Sequence, residues 1–115
     1  MKGKVIHYSN IPREKVEKAS KTWIRWLITD KDGAPTFAMR LFEVEPEGHI
    51  PAHKHPWEHE IFVLEGNGRI RIGEKTFDIE EGYVVFVPPN IEHEYWNVGN
   101  KVLKFICVIP LRPSQ

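Results

Sequence analysis

Three histidines fall within seven residues, directly before an apolar run that is typical of a buried strand. They are His53, His55 and His59, and the apolar run covers residues 61–64. On a strand, His53 and His55 project from the same face, because side chains alternate with a period of two. Pro56 cannot donate a ladder hydrogen bond, so it predicts a bend that turns His59 back toward the other two imidazoles. Neutral imidazole commonly binds Zn, Cu, Fe and Ni, so this cluster predicts a metal site.

A fourth candidate ligand, His93, follows a sharp break at residues 88–90. Glu60 competes with His59 for a place in the ligand set, since strand alternation alone does not say which of the two faces inward. The six-residue spacing from His59 to Gly66 favours His59. No ligand role is expected for the two other histidines. The predicted metal ligands are His53, His55, His59 and His93.

Short segments with strand character recur along the chain, separated by turn-forming residues at intervals of about 8–12 residues. This rhythm predicts an all-β sandwich or barrel. Turns are predicted at residues 30–35 and 45–48, and a tight hairpin at residues 65–68, where Gly66 and Gly68 tolerate positive φ. The strands predicted outside the histidine segments cover residues 5–8, 23–28, 37–44, 69–72, 75–79, 83–87 and 102–109.

Length and charge narrow the class of protein. A chain of 115 residues predicts one domain, with a core at about residues 37–110 and N-terminal strands within residues 4–30 that complete the sheets or form a dimer interface. Sixteen basic and sixteen acidic side chains give zero net charge, which argues against a nucleic-acid-binding surface. We expect no membrane span and no signal peptide, and the single cysteine excludes an internal disulfide. A cytoplasmic location is therefore expected, and the Lys and Glu content is compatible with a heat-adapted source.

The first histidine segment resembles a sequence motif of the cupin superfamily. Gly48, His53, His55 and Gly66 match the glycine and histidine positions of that motif. His59 stands where cupins usually carry glutamate. Only four residues separate Gly48 from His53, where the motif has five.

A second segment is similar to the second cupin motif. Gly82, Pro88, His93 and Asn97 have its spacing, and Asn90 replaces its middle glycine. Asparagine also tolerates the left-handed backbone conformation, so the turn is expected to survive this change.

The resemblance implies a small single-domain cupin: an antiparallel double-sheet jelly-roll β-barrel, commonly a homodimer, with a four-histidine site at its centre. It also implies a divalent transition metal with open coordination positions. Manganese is the first choice, with Fe, Cu, Ni or Zn as alternatives. An apolar sheet face agrees with a homodimer, because its side chains exceed what one barrel must bury inside. These side chains are Trp23, Trp26, Phe62 and Leu64.

Strand alternation suggests which side chains line a pocket beside the histidines. In the last strand, Lys104 is expected to face water. The alternate residues then face inward, either as core or as pocket wall; they are Leu103, Phe105, Cys107 and Ile109. Arg40 either points inward and binds a substrate anion or lies on an exposed rim. The pocket candidates are Arg40, Ile50, Tyr95, Phe105, Cys107 and Ile109.

Three functions are compatible with these residues. The first is a metal-dependent oxygenase or related redox enzyme acting on a small, partly apolar organic molecule, since redox metals with open positions suit oxygen chemistry. The second is a non-catalytic protein that binds or senses a small ligand. The third, a metal-dependent isomerase, is disfavoured because the site lacks a glutamate base. A fold hosts many reactions, so the substrate does not follow from the sequence.

Overall fold

Antiparallel strands make up most of the structure, a computed structural model that describes residues 2–111. Two three-residue 3₁₀ turns, Tyr8–Asn10 and Asp30–Asp32, are its helical elements, and neither could cross a membrane. The strands of the described region are β1 (Glu14–Lys15), β2 (Ser20–Ile28), β3 (Phe37–His53), β4 (His59–Glu65), β5 (Asn67–Ile72), β6 (Lys75–Glu80), β7 (Val84–Val87), β8 (His93–Asn97) and β9 (Leu103–Pro110).

The 17-residue strand β3 belongs to both halves of a curled sheet. Its first part pairs with β2 and β9, and its last part pairs with β8. Between the two parts, Glu47 has a φ of 71° and Gly48 follows it, which bends the strand without ending it. The prediction of a strand over residues 37–44 that stops at a turn over 45–48 is therefore wrong.

The two halves complete a jelly-roll barrel. One half has the order β2, β3, β9, β4, β7, and the other has the order β3, β8, β5, β6. Every pairing among these strands is antiparallel. The prediction of an all-β cupin-like barrel is confirmed.

A stack of three aromatic rings crosses the interior between the halves. Phe105 on β9 stacks on Phe42 of β3, with ring centroids 5.2 Å apart, and on Tyr95 of β8, with centroids 5.1 Å apart. Phe105 and Tyr95 are buried, as are Val63 and Leu103 around them. Each fully buried side chain of this size stabilises the fold by about 1.5–3 kcal/mol, so the stack helps to hold the two halves together.

Residues 65–68 form a turn, but the predicted hairpin is wrong. Strand β4 pairs with β7 and β9, whereas β5 pairs with β6 and β8. The turn therefore carries the chain from one half of the barrel to the other. Turn-forming residues predict a reversal of direction, but they do not determine which strands become neighbours.

The N-terminal segment also differs from the prediction. Residues 5–8 form no strand; Tyr8 begins a 3₁₀ turn instead. His7 precedes this turn, and its Nδ1 accepts a hydrogen bond from the backbone N–H of Ser9 at 3.2 Å. A local cap thus replaces the sheet pairing that the apolar pair Val5-Ile6 suggested.

Gly48 allows the start of β2 to lie against the bend of β3. A Cβ atom at this position would lie 2.6 Å from Val44 Cγ1, 2.8 Å from the Glu45 carbonyl oxygen and 3.0 Å from the Ser20 carbonyl oxygen. Ser20 is the first residue of β2 and follows directly on the segment 16–19. The absence of a side chain at Gly48 therefore sets where that segment lies.

Gly66 lies in a turn that has no room for a side chain. Its φ is 91°, and a Cβ atom would lie 2.6 Å from the Val102 carbonyl oxygen. We expect Gly66→Ala to lower the free energy of unfolding by more than about 2 kcal/mol, since left-handed backbone alone costs about 1–2 kcal/mol. Gly82→Ala is the matched control: its φ is 89°, with nothing within 4 Å of the added atom. Equal losses in urea unfolding of the two variants would contradict the steric argument.

Apolar side chains remain exposed on β4 and β7. Phe62 is 46% exposed, Val84 76% and Phe86 56%. Trp23, by contrast, is half-buried, and its indole N–H donates to Glu45 at 2.8 Å. The exposed face suited to a second copy of the chain thus lies on β4 and β7 rather than around Trp23.

The homodimer stays a prediction. We expect a species of about twice the 13.5 kDa chain mass in sedimentation velocity at micromolar protein. Phe86→Glu should shift the protein toward the monomer, because a carboxylate would be buried without a partner. Phe77→Glu, at a similarly exposed position on β6, serves as the control. A wild-type protein that sediments only as the monomer would rule the dimer out.

Candidate metal centre and cavity

Four imidazole rings gather at one end of the barrel. His53 ends β3, His59 begins β4, His93 begins β8, and His55 lies in the segment between β3 and β4. The ring centroids of His53 and His93 are 4.3 Å apart, and those of His59 and His93 are 4.7 Å apart. His55 lies 5.2 Å from His53 and 5.5 Å from His59 by the same measure. The structure thus brings together all four residues predicted from the sequence as ligands.

Two backbone contacts hold the cluster in place. His53 and His93 are register partners in the β3–β8 ladder. The backbone N–H of Asn90 donates to the carbonyl oxygen of His55 at 2.7 Å. Asn90 has a φ of 63°, the left-handed conformation expected for it. The loop before β8 therefore fixes both His93 and the segment that carries His55.

His59 and Glu60 project from opposite faces of β4. His59 is 3% exposed and shares its face with the buried Ile61 and Val63, whereas Glu60 is exposed. Glu60 therefore does not join the imidazole cluster in this structure.

Hydrogen bonds to backbone carbonyls assign the protonated nitrogen in two of the rings. Nδ1 of His53 lies 2.9 Å from the Pro51 carbonyl oxygen, and Nδ1 of His93 lies 3.0 Å from that of Ile91. A carbonyl only accepts, so each Nδ1 carries a proton and donates it, and in the neutral ring the lone pair is on Nε2. His93 Nε2 and His59 Nδ1 are buried, and neither has a hydrogen-bond partner.

Burial favours the neutral form of three rings of the cluster, His55, His59 and His93. Burial lowers the pKa of His59 to about 3, and the charges of His93 and Arg40 act in the same direction. Burial lowers the pKa of His93 to about 4, although its hydrogen bond to Ile91 opposes this change. The pKa of His55 is also lowered, chiefly by burial. Neutral imidazoles are the form that binds a metal ion.

The donor atoms fit a divalent transition metal, but the rings are not arranged as a coordination shell. Backbone carbonyls orient two of the imidazoles through Nδ1, which is how metal-binding histidines are usually held. The rings pack against one another, however, and within residues 2–111 no three His, Cys, Asp or Glu side chains are placed to hold a metal ion as they stand. Metal binding would require the rings to turn their free nitrogens toward one point.

An apolar cavity of about 440 Å³ opens beside the histidines. His53, His55 and His59 form part of its wall. Five of the six pocket candidates line it, while Ile109 lines a neighbouring cleft instead. Among the described residues, no carboxylate contributes to the cavity wall. The five candidates that line it are Arg40, Ile50, Tyr95, Phe105 and Cys107.

Two weak acids in the cavity wall are held in their neutral form. Burial raises the pKa of the Cys107 thiol and raises that of the Tyr95 phenol well above its ordinary value. The guanidinium of Arg40 partly opposes both shifts. These groups can donate hydrogen bonds, but neither is an anionic base at neutral pH.

Some residues of the site were not recognised in the sequence. Trp57 stacks on His55, with ring centroids 4.5 Å apart and an interplanar angle of 5°. Trp26, which we assigned to an interface, lines the cavity, as do Val16 and Ala19 of the segment before β2. The position of Trp57 within the histidine motif was a usable signal. The contribution of residues 16–19 depends on long-range pairing and had no local signal.

The remaining motif residue and the other histidines have structural contacts. The buried Asn97 donates from Nδ2 to the carbonyl oxygens of Val44 and Lys101, both at 2.8 Å, so it braces the turn after β8. His7 caps the N-terminal 3₁₀ turn, and His49 Nε2 lies 2.5 Å from a Glu94 carboxylate oxygen. Neither histidine lies in the cluster.

The sequence matches the Cupin domain family over residues 40–109. The chain belongs to this family. Cupin domains generally bind divalent metals, and the matched region contains all four clustered histidines.

Solved structures agree with this assignment. The polyketide cyclase RemF from Streptomyces resistomycificus is 34% identical, with a TM-score of 0.90 over 97% of this chain and 82% of that one. A predicted oxalate decarboxylase from Thermotoga maritima is 25% identical, with a TM-score of 0.84 over 95% of this chain and 100% of that one.

Two curated relatives match over shorter stretches. An uncharacterized protein from Methanocaldococcus jannaschii is 36% identical over 56 residues, which is 48% of this chain and 45% of that protein. An oxalate-binding protein from Thermotoga maritima is 36% identical over 76 residues, which is 63% of each chain. The matched stretches thus span about half to just under two thirds of these relatives.

The tautomers of two histidines can be observed directly. In ¹⁵N-labelled protein, long-range ¹H–¹⁵N spectra should show the neutral rings of His53 and His93 protonated at Nδ1 and bare at Nε2, because the carbonyls of Pro51 and Ile91 accept from Nδ1. His7, whose Nδ1 accepts from Ser9, should show the opposite tautomer and serves as the internal control. Protonation of His93 at Nε2 would contradict the assigned hydrogen bond.

Proposed function

We propose that this cupin is a divalent-metal-dependent enzyme that acts on a small, partly apolar organic molecule. The observation that carries the proposal is the position of the imidazole cluster at the wall of an apolar cavity. Such a cavity with a few convergent polar groups is the usual form of a small-molecule site. Its volume of about 440 Å³ lies within the common range of such sites.

The metal ligands in this proposal are His53, His55, His59 and His93. The free Nε2 of His93 and the partnerless Nδ1 of His59 support it, since buried polar atoms without partners are rare and destabilising. A bound divalent ion would supply a Lewis acid or a redox centre, and four neutral ligands would leave its full charge available to an anionic partner. Manganese is the proposed metal, with Fe, Cu, Ni or Zn as alternatives.

The other cavity residues position the substrate and exclude water. Ile50, Phe105 and Tyr95 form an apolar wall, which strengthens electrostatic interactions inside the cavity. The described cavity wall offers no carboxylate as a general base, and Tyr95 and Cys107 are neutral. Proton transfer would therefore involve the substrate or water.

Oxygenation of the substrate is the first proposed reaction type. It needs a redox metal and a dry cavity, and it does not require a carboxylate base. A redox-neutral reaction of a carbonyl compound, such as a ring closure, is the second, favoured by the 34% identity to a polyketide cyclase over 97% of this chain. The similarity to an oxalate-binding protein supports a third possibility, which is ligand binding without turnover.

Metal content tests the ligand set. We expect about one divalent ion per chain in protein purified without added metal, and at least about tenfold weaker binding in His59→Gln, since one ligand would be lost. His7→Gln is the matched control because it makes the same substitution at an exposed histidine. Glu60→Gln should retain the metal. Loss of metal from Glu60→Gln but not from His59→Gln would overturn the assignment and make Glu60 the ligand.

Oxygen consumption separates the reaction types. Benzoylacetone, a partly apolar diketone with two oxygen donors, is the first probe, and each metal is tested separately. Uptake of dioxygen that depends on metal and is lost in His59→Gln would support the oxygenase. Loss of the diketone absorbance without oxygen uptake would support the redox-neutral reaction. Metal-loaded protein that binds the diketone and returns it unchanged with every metal would contradict an enzyme for this substrate class.

A further inference from the structure

Arg40 occupies an unusual place for a charged side chain, inside the barrel opening. It lies on β3, and its guanidinium carbon is 5.0 Å from the ring centroid of Phe42 and 5.7 Å from that of Trp26. Arg40, Trp26 and His55 line both the histidine cavity and a neighbouring cleft of about 1070 Å³. Arg40 therefore stands where the cavity meets the cleft.

The guanidinium lacks the partner that a half-buried cation needs. Its Nη2 donates to Cys107 Sγ at 3.0 Å, and its buried Nε has no hydrogen-bond partner. Within residues 2–111, Arg40 forms no ion pair, whereas Arg25 and Arg71 each pair with glutamate. A thiol is a weak acceptor, and a charge held away from water without a counter-charge is destabilising. The unfilled donor capacity of Arg40 is suited to an anion.

On its cavity side, Arg40 has surroundings that favour an anion from outside the chain. The cleft that Arg40 also lines contains carboxylates, but within residues 2–111 none of them forms an ion pair with it. These are Glu14, Asp30 and Asp32. The cavity wall contains the cations Arg40 and Lys18 and, among the described residues, no carboxylate. Arg40 shares this wall with His53, His55 and His59, so the guanidinium lies near the imidazole cluster. An anionic group between Arg40 and the histidines would relieve this excess of positive charge.

We propose that the cavity binds an organic carboxylate with an apolar body. The planar fork of N–H donors on Arg40 matches the two oxygens of a carboxylate. The rings of Trp26, Phe42 and Phe105 give the apolar body a wall to pack on. A cavity of about 440 Å³ is also much larger than a dicarboxylate without an apolar part requires. This inference rests on the proposed function and names the substrate class of the same site.

Naphthoate and its neutral analogue naphthalenemethanol test the proposal by isothermal titration calorimetry. The full-length protein is used as purified, and the metal content of every variant is measured. Arg40→Gln should weaken naphthoate binding at least tenfold and change naphthalenemethanol binding less than twofold. Arg40→Lys should recover part of the loss, because it restores the charge without the fork. Arg69→Gln, at an exposed arginine paired with Asp78, is the matched control and should bind naphthoate as the wild type does.

Four results would overturn the inference. They are naphthoate affinity unchanged in Arg40→Gln, equal losses for naphthoate and naphthalenemethanol, no naphthoate binding by the wild type, and oxalate binding more tightly than naphthoate. Tighter binding of oxalate would mean that the site takes a small dicarboxylate rather than a carboxylate with an apolar body. Thermal unfolding of Arg40→Gln checks that the variant folds, and Arg40→Lys provides a second test if it does not.

The same measurements separate this inference from the proposed enzyme. Carboxylate binding that depends on Arg40, in protein without bound metal or turnover, would support the inference and contradict the enzyme. Metal-dependent turnover in protein whose naphthoate affinity does not depend on Arg40 would support the enzyme and contradict the inference.

Discussion

The shared strand β3 is the constraint on which the rest of the structure depends. Because this strand pairs with β2 and β9 along its first part and with β8 along its last, it fixes the two halves of the barrel relative to each other. The bend near Glu47 and Gly48 turns the second half over the first. Arg40 lies before this bend and His53 after it, so one strand presents both the cation and the first imidazole to the same cavity.

The histidine cluster combines burial with unsatisfied hydrogen-bonding capacity. Burial lowers the pKa values of His59 and His93 and keeps these two rings neutral, which avoids repulsion between closely packed cations. It also leaves lone pairs that no described side chain satisfies. Arg40 has the opposite need, since its buried Nε–H has no hydrogen-bond acceptor. The cavity thus has both a neutral electron-pair donor side and a cationic hydrogen-bond donor side.

Strand alternation and motif spacing predicted more of this site than of the fold's connections. The barrel class, the placement of His53, His55, His59 and His93 in one cluster, and the inward face of the last strand all follow from patterns local to the sequence. Such patterns depend on side chains a few residues apart, which the backbone geometry relates directly.

The predictions that are wrong or incomplete concern features that depend on pairing between segments far apart in the sequence. The turn around Gly66 was predicted, but its neighbours were not, because β4 and β5 pair with strands far along the chain. The sequence predicts the end of a strand at the bend near Gly48, since residues with turn propensity do not show whether pairing resumes after them. Strand parity does not determine which face a half-buried cation prefers, so it predicts either an exposed rim or the cavity for Arg40.

Gly48 can affect the shape of the cavity although it does not line the cavity itself. The carbonyl oxygen of Ser20 lies 3.0 Å from the place where a side chain at Gly48 would begin, and the segment immediately before Ser20 supplies Val16 and Ala19 to the cavity wall. A larger residue at Gly48 would press on Ser20 and on the segment before it. The shape of the cavity can therefore change through a residue of the scaffold, while every side chain of the histidine cluster stays the same.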